Sequence, residues 1–177
     1  FGMMIILTAS LVYSIIHLAK GDRRSDIIAS EGINVALFMG VLGLTTGMLW
    51  AKNTWGTYWT GDAKLNGVAM GMLVYLAYVV LRGSMDEEQK RGRVAAVYNI
   101  FAYVMFMVFI MVLPRLTDSL HPGNGGNPGF GGYDLNDKMK LVFYPAIIGW
   151  TLLGVWLVNI RVRLQSIKEN RLIKSLE

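Results

Sequence analysis

The sequence predicts an all-α protein, a bundle of membrane-spanning helices. Of its 177 residues, 54% are hydrophobic and only 16% are charged, which is more apolar than an ordinary soluble domain. Charged residues lie between the long apolar runs; the runs are 1–18, 33–50, 65–81, 94–113 and 141–160. Because unpaired backbone groups cannot cross lipid, we expect each run to be a membrane-spanning helix, five in all.

The first apolar run begins at Phe1 and is slightly short for a membrane. About 17 residues at a rise of ~1.5 Å reach ~26 Å, against a hydrocarbon core of ~30 Å. We therefore expect the N-terminal span and a first outside loop to lie upstream of Phe1, giving six spans in the complete protein. A signal peptide is not indicated, because the run has no basic start and no small-residue cleavage site.

The distribution of basic residues predicts the orientation. Of the 17 Lys and Arg residues, twelve fall in the connections 20–26 and 82–93 and in the tail that begins at Arg161. By the positive-inside rule this side is cytoplasmic. This topology also explains the net charge of +5. The segments outside the spans show no surface of basic and aromatic residues of the kind that binds nucleic acid.

The two connections on the other side, 51–66 and 115–140, contain the candidate site residues. In the first, Trp55, Tyr58 and Trp59 are spaced to form a platform for a planar amphiphile such as haem or quinone, with Asp62 and Lys64 as charges at its edge. Aromatic residues also anchor helix ends at membrane interfaces, but this group is unusually tight.

The second outside connection contains His121-Pro122 and a run rich in Gly and Asn, 123–132, that predicts irregular structure. The chain has no cysteine, which excludes thiolate metal sites and Fe–S clusters. The only soft or imidazole ligands left are the methionines, His17 and His121. No paired carboxylates in a span, catalytic triad or phosphate-binding loop is found, which favours binding over catalysis.

The string from Trp55 to Asn66, WGTYWTGDAKLN, resembles the tryptophan-rich signature WGxWWxWDxRLT of haem-handling proteins of cytochrome c maturation, and is most similar to the CcmC family. The segment Ser119-Leu120-His121-Pro122 supports the resemblance. The family implies a six-helix protein of the bacterial inner membrane with both loops periplasmic. It would bind haem b and present it to the haem chaperone CcmE, together with CcmA, CcmB and CcmD, without catalysing a reaction.

The resemblance also implies roles for individual residues. Those that would contact haem are Trp55, Gly56, Tyr58, Trp59, Asp62 and Lys64. His121 would be one axial ligand of the iron, and the second axial histidine would lie upstream of Phe1. Without the resemblance, a loop histidine bonded to backbone is the favoured interpretation of His121. His17 is not a substitute ligand, because it lies at the inner end of its helix and is expected to be interfacial.

The string departs from the signature at four positions. Tyr58, Lys64 and Asn66 are substitutions that keep a ring, a charge and a polar group. Gly61 stands where the signature has Trp: it either removes one ring of the platform or marks a turn with positive φ. Two other functions remain open, a subunit of a CcsA-type cytochrome c synthase and a structural or quinone-binding membrane subunit.

Overall fold

The computed structural model describes residues 1–117, 120–121 and 136–174, and all regular structure within them is helical. The elements are α1 (Gly2–Lys20), α2 (Arg23–Trp55), α3 (Ala63–Gly83), α4 (Glu88–Met107), a π-turn (Val108–Val112), α5 (Leu113–Leu116) and α6 (Asp137–Lys174). Within these residues, five helices are long and apolar enough to cross a membrane, α4 being continuous with the segment that ends at Leu116. The predicted fold class is confirmed: the chain is a multi-pass membrane protein.

The helices extend further than the apolar runs, so the connections are shorter than predicted. The outside connection predicted as 51–66 is irregular only between Trp55 and Ala63, and the inner turn predicted around 20–26 is reduced to Gly21 and Asp22. The cause is local capping: Gly21 ends α1 in the left-handed conformation, and the Asp22 side chain accepts hydrogen bonds from the first backbone N–H groups of α2. The tail after Arg161 is helical as expected.

Helices α1 to α4 form the core of the bundle, and α6 packs against α1 and α2. The largest side chains at its centre, Tyr75, Phe106, Leu7 and Ile33, are completely buried. Helix α6 exposes many large apolar residues, among them Trp156 and Leu152. In a membrane protein these side chains contact lipid, so their exposure agrees with the predicted span.

The backbones of α3 and the π-turn approach each other closely at Gly67. A Cβ atom at this position would lie 2.3 Å from the carbonyl oxygen of Phe109, so only glycine fits without movement of the backbone. A π-turn inserts one additional residue into a helix, and this one lies where the chain turns towards α5. The contact therefore fixes the segment leading to His121 against the beginning of α3.

The bundle end that holds the α1–α2 and α3–α4 connections contains a group of ion pairs, which we call the ion-pair end: Arg23, Asp26, Arg82, Glu88 and Glu169. Two nitrogens of Arg82 donate to the two oxygens of the buried Asp26, each at 2.7 Å. Arg23 pairs with Asp26, Glu88 and Glu169. The group therefore links α2, α3, α4 and α6.

His17 lies at this same end, as expected, and its side chain is buried there. Its Nδ1 atom is 2.8 Å from the carbonyl oxygen of Asp22. Its Nε2 atom faces Gly92, where an added Cβ would approach it to 2.7 Å. His17 is thus part of the packing between α1 and α4.

Candidate functional site

At the opposite end of the bundle, Asp62 and His121 meet although 59 positions separate them. Asp62 is the N-cap residue of α3, and its Oδ1 atom accepts the backbone N–H of Lys64 at 2.9 Å. The same carboxylate accepts the backbone N–H of Leu120 at 2.6 Å and lies 2.8 Å from His121 Nδ1. One buried side chain therefore caps a helix and fixes the backbone and the ring of the histidine segment.

The Asp62 contact determines which nitrogen of His121 can bind a metal. The Asp62 side chain is 1% exposed and that of His121 is 27% exposed. Because an ionised carboxylate only accepts hydrogen bonds, Nδ1 must carry the hydrogen, and the lone pair of the neutral ring is then on Nε2. Histidines that ligate metals are commonly oriented by a carboxylate in this way.

Two tryptophan rings lie beside the His121 ring. The Trp55 ring meets it edge to face with centroids 4.9 Å apart, and the Trp50 ring is tilted at 6.3 Å. Trp50 and Trp55 are themselves in edge-to-face contact at 4.9 Å, a favourable geometry for aromatic pairs. We call the four residues Trp50, Trp55, Asp62 and His121 the aromatic end.

Tyr58 and Trp59 have other partners in the described structure. Lys52 Nζ lies 5.6 Å from the centroid of the Tyr58 ring, and Trp59 Nε1 donates to the side-chain oxygen of Asn66 at 3.0 Å. Among the described residues, neither ring stacks on Trp55. The expected platform of Trp55, Tyr58 and Trp59 is therefore not formed by direct ring contacts.

The remaining predicted residues, Gly56 and Lys64, frame the connection. Gly56 ends α2 in the left-handed conformation with φ of 81°, and its N–H bonds to the Lys52 carbonyl. Lys64 lies half-buried in the first turn of α3. Asp62 was predicted as a charge at the edge of the platform. It is buried, and its bonds to the backbone place it behind His121. Roles of these residues in ligand binding stay predictions.

Gly61 adopts a left-handed conformation with φ of 71°, and its carbonyl accepts a hydrogen bond from the Asn66 side chain at 2.9 Å. Of the two interpretations of this departure from the signature, the turn with positive φ is thus confirmed. A tryptophan here would strain the turn, although no atom would lie within 4 Å of its Cβ.

Sequence reasoning missed Trp50 as a site residue, because the signature begins at Trp55 and Trp50 was assigned to the preceding span. The available signal was its closeness in sequence to Trp55, five residues further along the chain. The second outside connection was predicted as 115–140. Helix α5 ends at Leu116 and α6 begins at Asp137, so both ends of the predicted connection are helical. Pro122 and the Gly-rich run 123–132 lie outside the described residues.

Fold and site together define a class of protein: a multi-pass membrane protein with a carboxylate-held imidazole and two indole rings at one end of its bundle. The imidazole of such a site can bind a metal ion, and the indole rings can contact a flat, apolar group that carries the metal. The model of the family "Heme exporter protein C" matches residues 1–176. The chain belongs to this family, and the suspected CcmC resemblance is confirmed.

Individual relatives agree with the family match. The chain is 26% identical over 153 residues to the heme exporter protein C of Bradyrhizobium diazoefficiens, covering 86% of this chain and 57% of that protein. It is 27% identical over 176 residues to that of Haemophilus influenzae, covering 96% and 65%. A cytochrome c biogenesis protein CcsA of Parasynechococcus marenigrum is 29% identical over 98 residues, covering 55% and 32%. The chain thus spans about three fifths of the length of these heme exporter relatives.

Proposed function

We propose that the protein binds haem b as cargo at its aromatic end and delivers it for cytochrome c biogenesis. The observation that supports this most directly is the Asp62–His121 pair, with a distance of 2.8 Å and two indole rings against the imidazole. His121 would bind the iron through Nε2. The names of the relatives, heme exporter protein C and cytochrome c biogenesis protein, point to the same cargo.

The residues of the site fit this cargo chemically. An imidazole is a common axial ligand of haem iron, and the carboxylate behind it raises the basicity of the ring. Trp50 and Trp55 would cover apolar porphyrin surface next to the ligand. Tyr58 and Trp59, both exposed, would extend that cover, and Lys64 would pair with a propionate. Gly56 would let the chain pass close to the haem.

Asp62 would act through His121 and not on the haem itself. Its side chain is buried, and a carboxylate would repel the negatively charged propionates. We therefore assign Asp62 a positioning role in haem binding. The second axial ligand would be a histidine outside these 177 residues, as the family resemblance implies.

The function proposed is binding and transfer without bond-making chemistry by this chain. The partner that receives the haem would be the chaperone CcmE, and the protein would assemble with CcmA, CcmB and CcmD. Family membership supports these proposed partners, and the exposed rings of Tyr58 and Trp59 offer the receiving partner a contact surface at the same end. Besides these proteins, the partner along the outside of the bundle is membrane lipid.

We further propose that the aromatic end faces the periplasm across the bacterial inner membrane. Thr57 and Lys168 are exposed and lie at opposite ends of the bundle, and the chain contains no cysteine. Single cysteines introduced at these positions should label oppositely with an impermeant thiol reagent in intact cells. Equal labelling would contradict the orientation.

The test of haem binding compares two histidine variants of the full-length protein. In His121→Ala, the purified protein should lose its Soret band or convert it to a high-spin spectrum, and cytochrome c maturation in cells should stop. His17→Ala is the matched control: it removes an imidazole at the other end and should leave the haem spectrum unchanged. Absence of a Soret band in the wild type would favour a structural or quinone-binding subunit, and equal spectra of the two variants would reject His121 as ligand.

A further inference from the structure

The ion-pair end contains a second candidate site, which the proposed function does not use. A cavity of about 310 Å³ opens there between α2, α3, α4 and α6. Three arginines are among its lining residues, Arg23, Arg82 and Arg91. Of its two aliphatic lining residues, Val79 is exposed and Ile27 is almost fully buried. Glu31, which pairs with Arg161, also lines the cavity, together with the polar residues Ser30 and Asn34.

The three arginines differ in their partners. Arg82 is held by the buried Asp26, and Arg23 by Asp26, Glu88 and Glu169. The guanidinium of Arg91 has no hydrogen bond or ion pair to any residue that the structure describes, although its side chain is half-buried. A partly desolvated guanidinium favours an anionic partner, and a phosphate group matches its fork of donors.

The cavity is long enough for more than an anion. Its lining reaches from Arg23, at the first residue of α2, to Asn34 in the same helix, a distance of about 16 Å at 1.5 Å per residue. The three arginines lie at the end of the membrane spans, where lipid headgroups are found. Ile27 is one turn further along α2, and Val79 is one turn before the end of α3.

We propose that this cavity binds an anionic phospholipid. Arg91 contacts the phosphodiester of the headgroup, and an acyl chain runs along the exposed Val79 of α3 towards the interior of the membrane. A free phosphate would use the charged end alone and leave the exposed Val79 without a ligand. The site is independent of haem, because it lies at the other end of the bundle from His121.

The test measures lipid retention by native mass spectrometry of the full-length protein, exchanged into phosphatidylglycerol or phosphatidylcholine. We expect the wild type to retain phosphatidylglycerol several-fold better, and Arg91→Gln to lose that preference. Lys90→Gln is the matched control: it removes the same charge from the neighbouring, exposed position and should retain the preference. Arg91→Lys should be intermediate, since it keeps the charge and loses the fork.

Two outcomes would overturn the proposal. Equal loss in Arg91→Gln and Lys90→Gln would mean that the lipid is attracted by general positive charge and not by this cavity. If glycerol phosphate or inorganic phosphate alone raises the melting temperature of the wild type but not of Arg91→Gln, and the lipid preference is absent, the site is one for free phosphate. Melting temperatures of both variants in phosphatidylcholine, expected to match the wild type, exclude misfolding as the cause.

Discussion

The two ends of the bundle use buried carboxylates in different ways. At the ion-pair end, Asp26 is bonded to two arginines and lies within a group that links four helices. At the aromatic end, Asp62 is bonded to two backbone N–H groups and to the His121 ring. The first carboxylate holds helices together, and the second holds a side chain that can bind a ligand.

The two arrangements predict different consequences for the loss of each carboxylate. A buried carboxylate is tolerated only when it is fully bonded, and at the ion-pair end the bonds are all made by charged side chains of other helix turns. At the aromatic end they come from a helix start and from one short segment, Leu120 and His121. Loss of Asp26 should therefore affect the whole bundle, whereas loss of Asp62 should affect mainly the ligand site.

The largest effect is expected for Asp26→Asn, which keeps the shape of the side chain and removes its charge. Arg82 then loses its only charged partner among the described residues, and removing one member of a buried ion pair costs about 3–5 kcal/mol. For a protein of this size that lowers the melting temperature by roughly 10 °C. Thermal unfolding of the purified protein in detergent measures the change.

The control for this variant is Asp86→Asn, in the exposed α3–α4 connection. It should change the melting temperature by no more than a degree or two, because surface substitutions of this kind have small effects. Equal melting of the two variants would show that the ion-pair end does not stabilise the bundle.

A somewhat smaller effect is expected for Gly67→Ala near the aromatic end. The new methyl group would meet the Phe109 carbonyl, so α3 and the π-turn must separate, at a cost of about 1–3 kcal/mol. Because the π-turn leads to His121, haem should also dissociate faster. Gly47→Ala, in α2 with open space around it, should instead be neutral or slightly stabilising. Melting curves and haem off-rates that do not distinguish the two would contradict the close approach.

Asp62→Ala tests the positioning of His121 and should weaken haem binding about tenfold, the lower end of what such supporting residues contribute. Asp62→Asn keeps a good N-cap but removes the charge, so it should raise the haem midpoint potential. Its NH2 group would face the Leu120 N–H that Oδ2 now accepts, so the melting temperature should fall by a few degrees. Asp137→Ala, whose carboxylate is exposed at the start of α6, serves as the control. An unchanged haem midpoint potential in Asp62→Asn would mean that Asp62 acts only as a helix cap and does not influence the haem through His121.

The sequence was sufficient for the five helices and for most of the residues at the aromatic end, because apolar runs and a specific signature are local properties. It did not predict the pairing of Asp62 with His121, which depends on how the π-turn brings a distant segment to the start of α3. The place of Trp50 beside His121 was missed for a related reason: α2 continues as a helix to Trp55, beyond the apolar run that ends at residue 50.

The smallest effect, and the one that separates a ring platform from a turn, is expected at Gly61. With φ of 71°, any side chain with a Cβ is strained there by roughly 1–2 kcal/mol, and Asn tolerates the conformation better than other residues. Gly61→Trp should therefore lower the melting temperature by a few degrees without slowing haem release, and Gly61→Asn should stay close to the wild type. Haem off-rates and melting curves of the two variants decide the matter. Slower haem release in Gly61→Trp would mean that an indole at this position stacks on the haem strongly enough to offset the strain. The ring platform would then extend along the connection beyond Trp55.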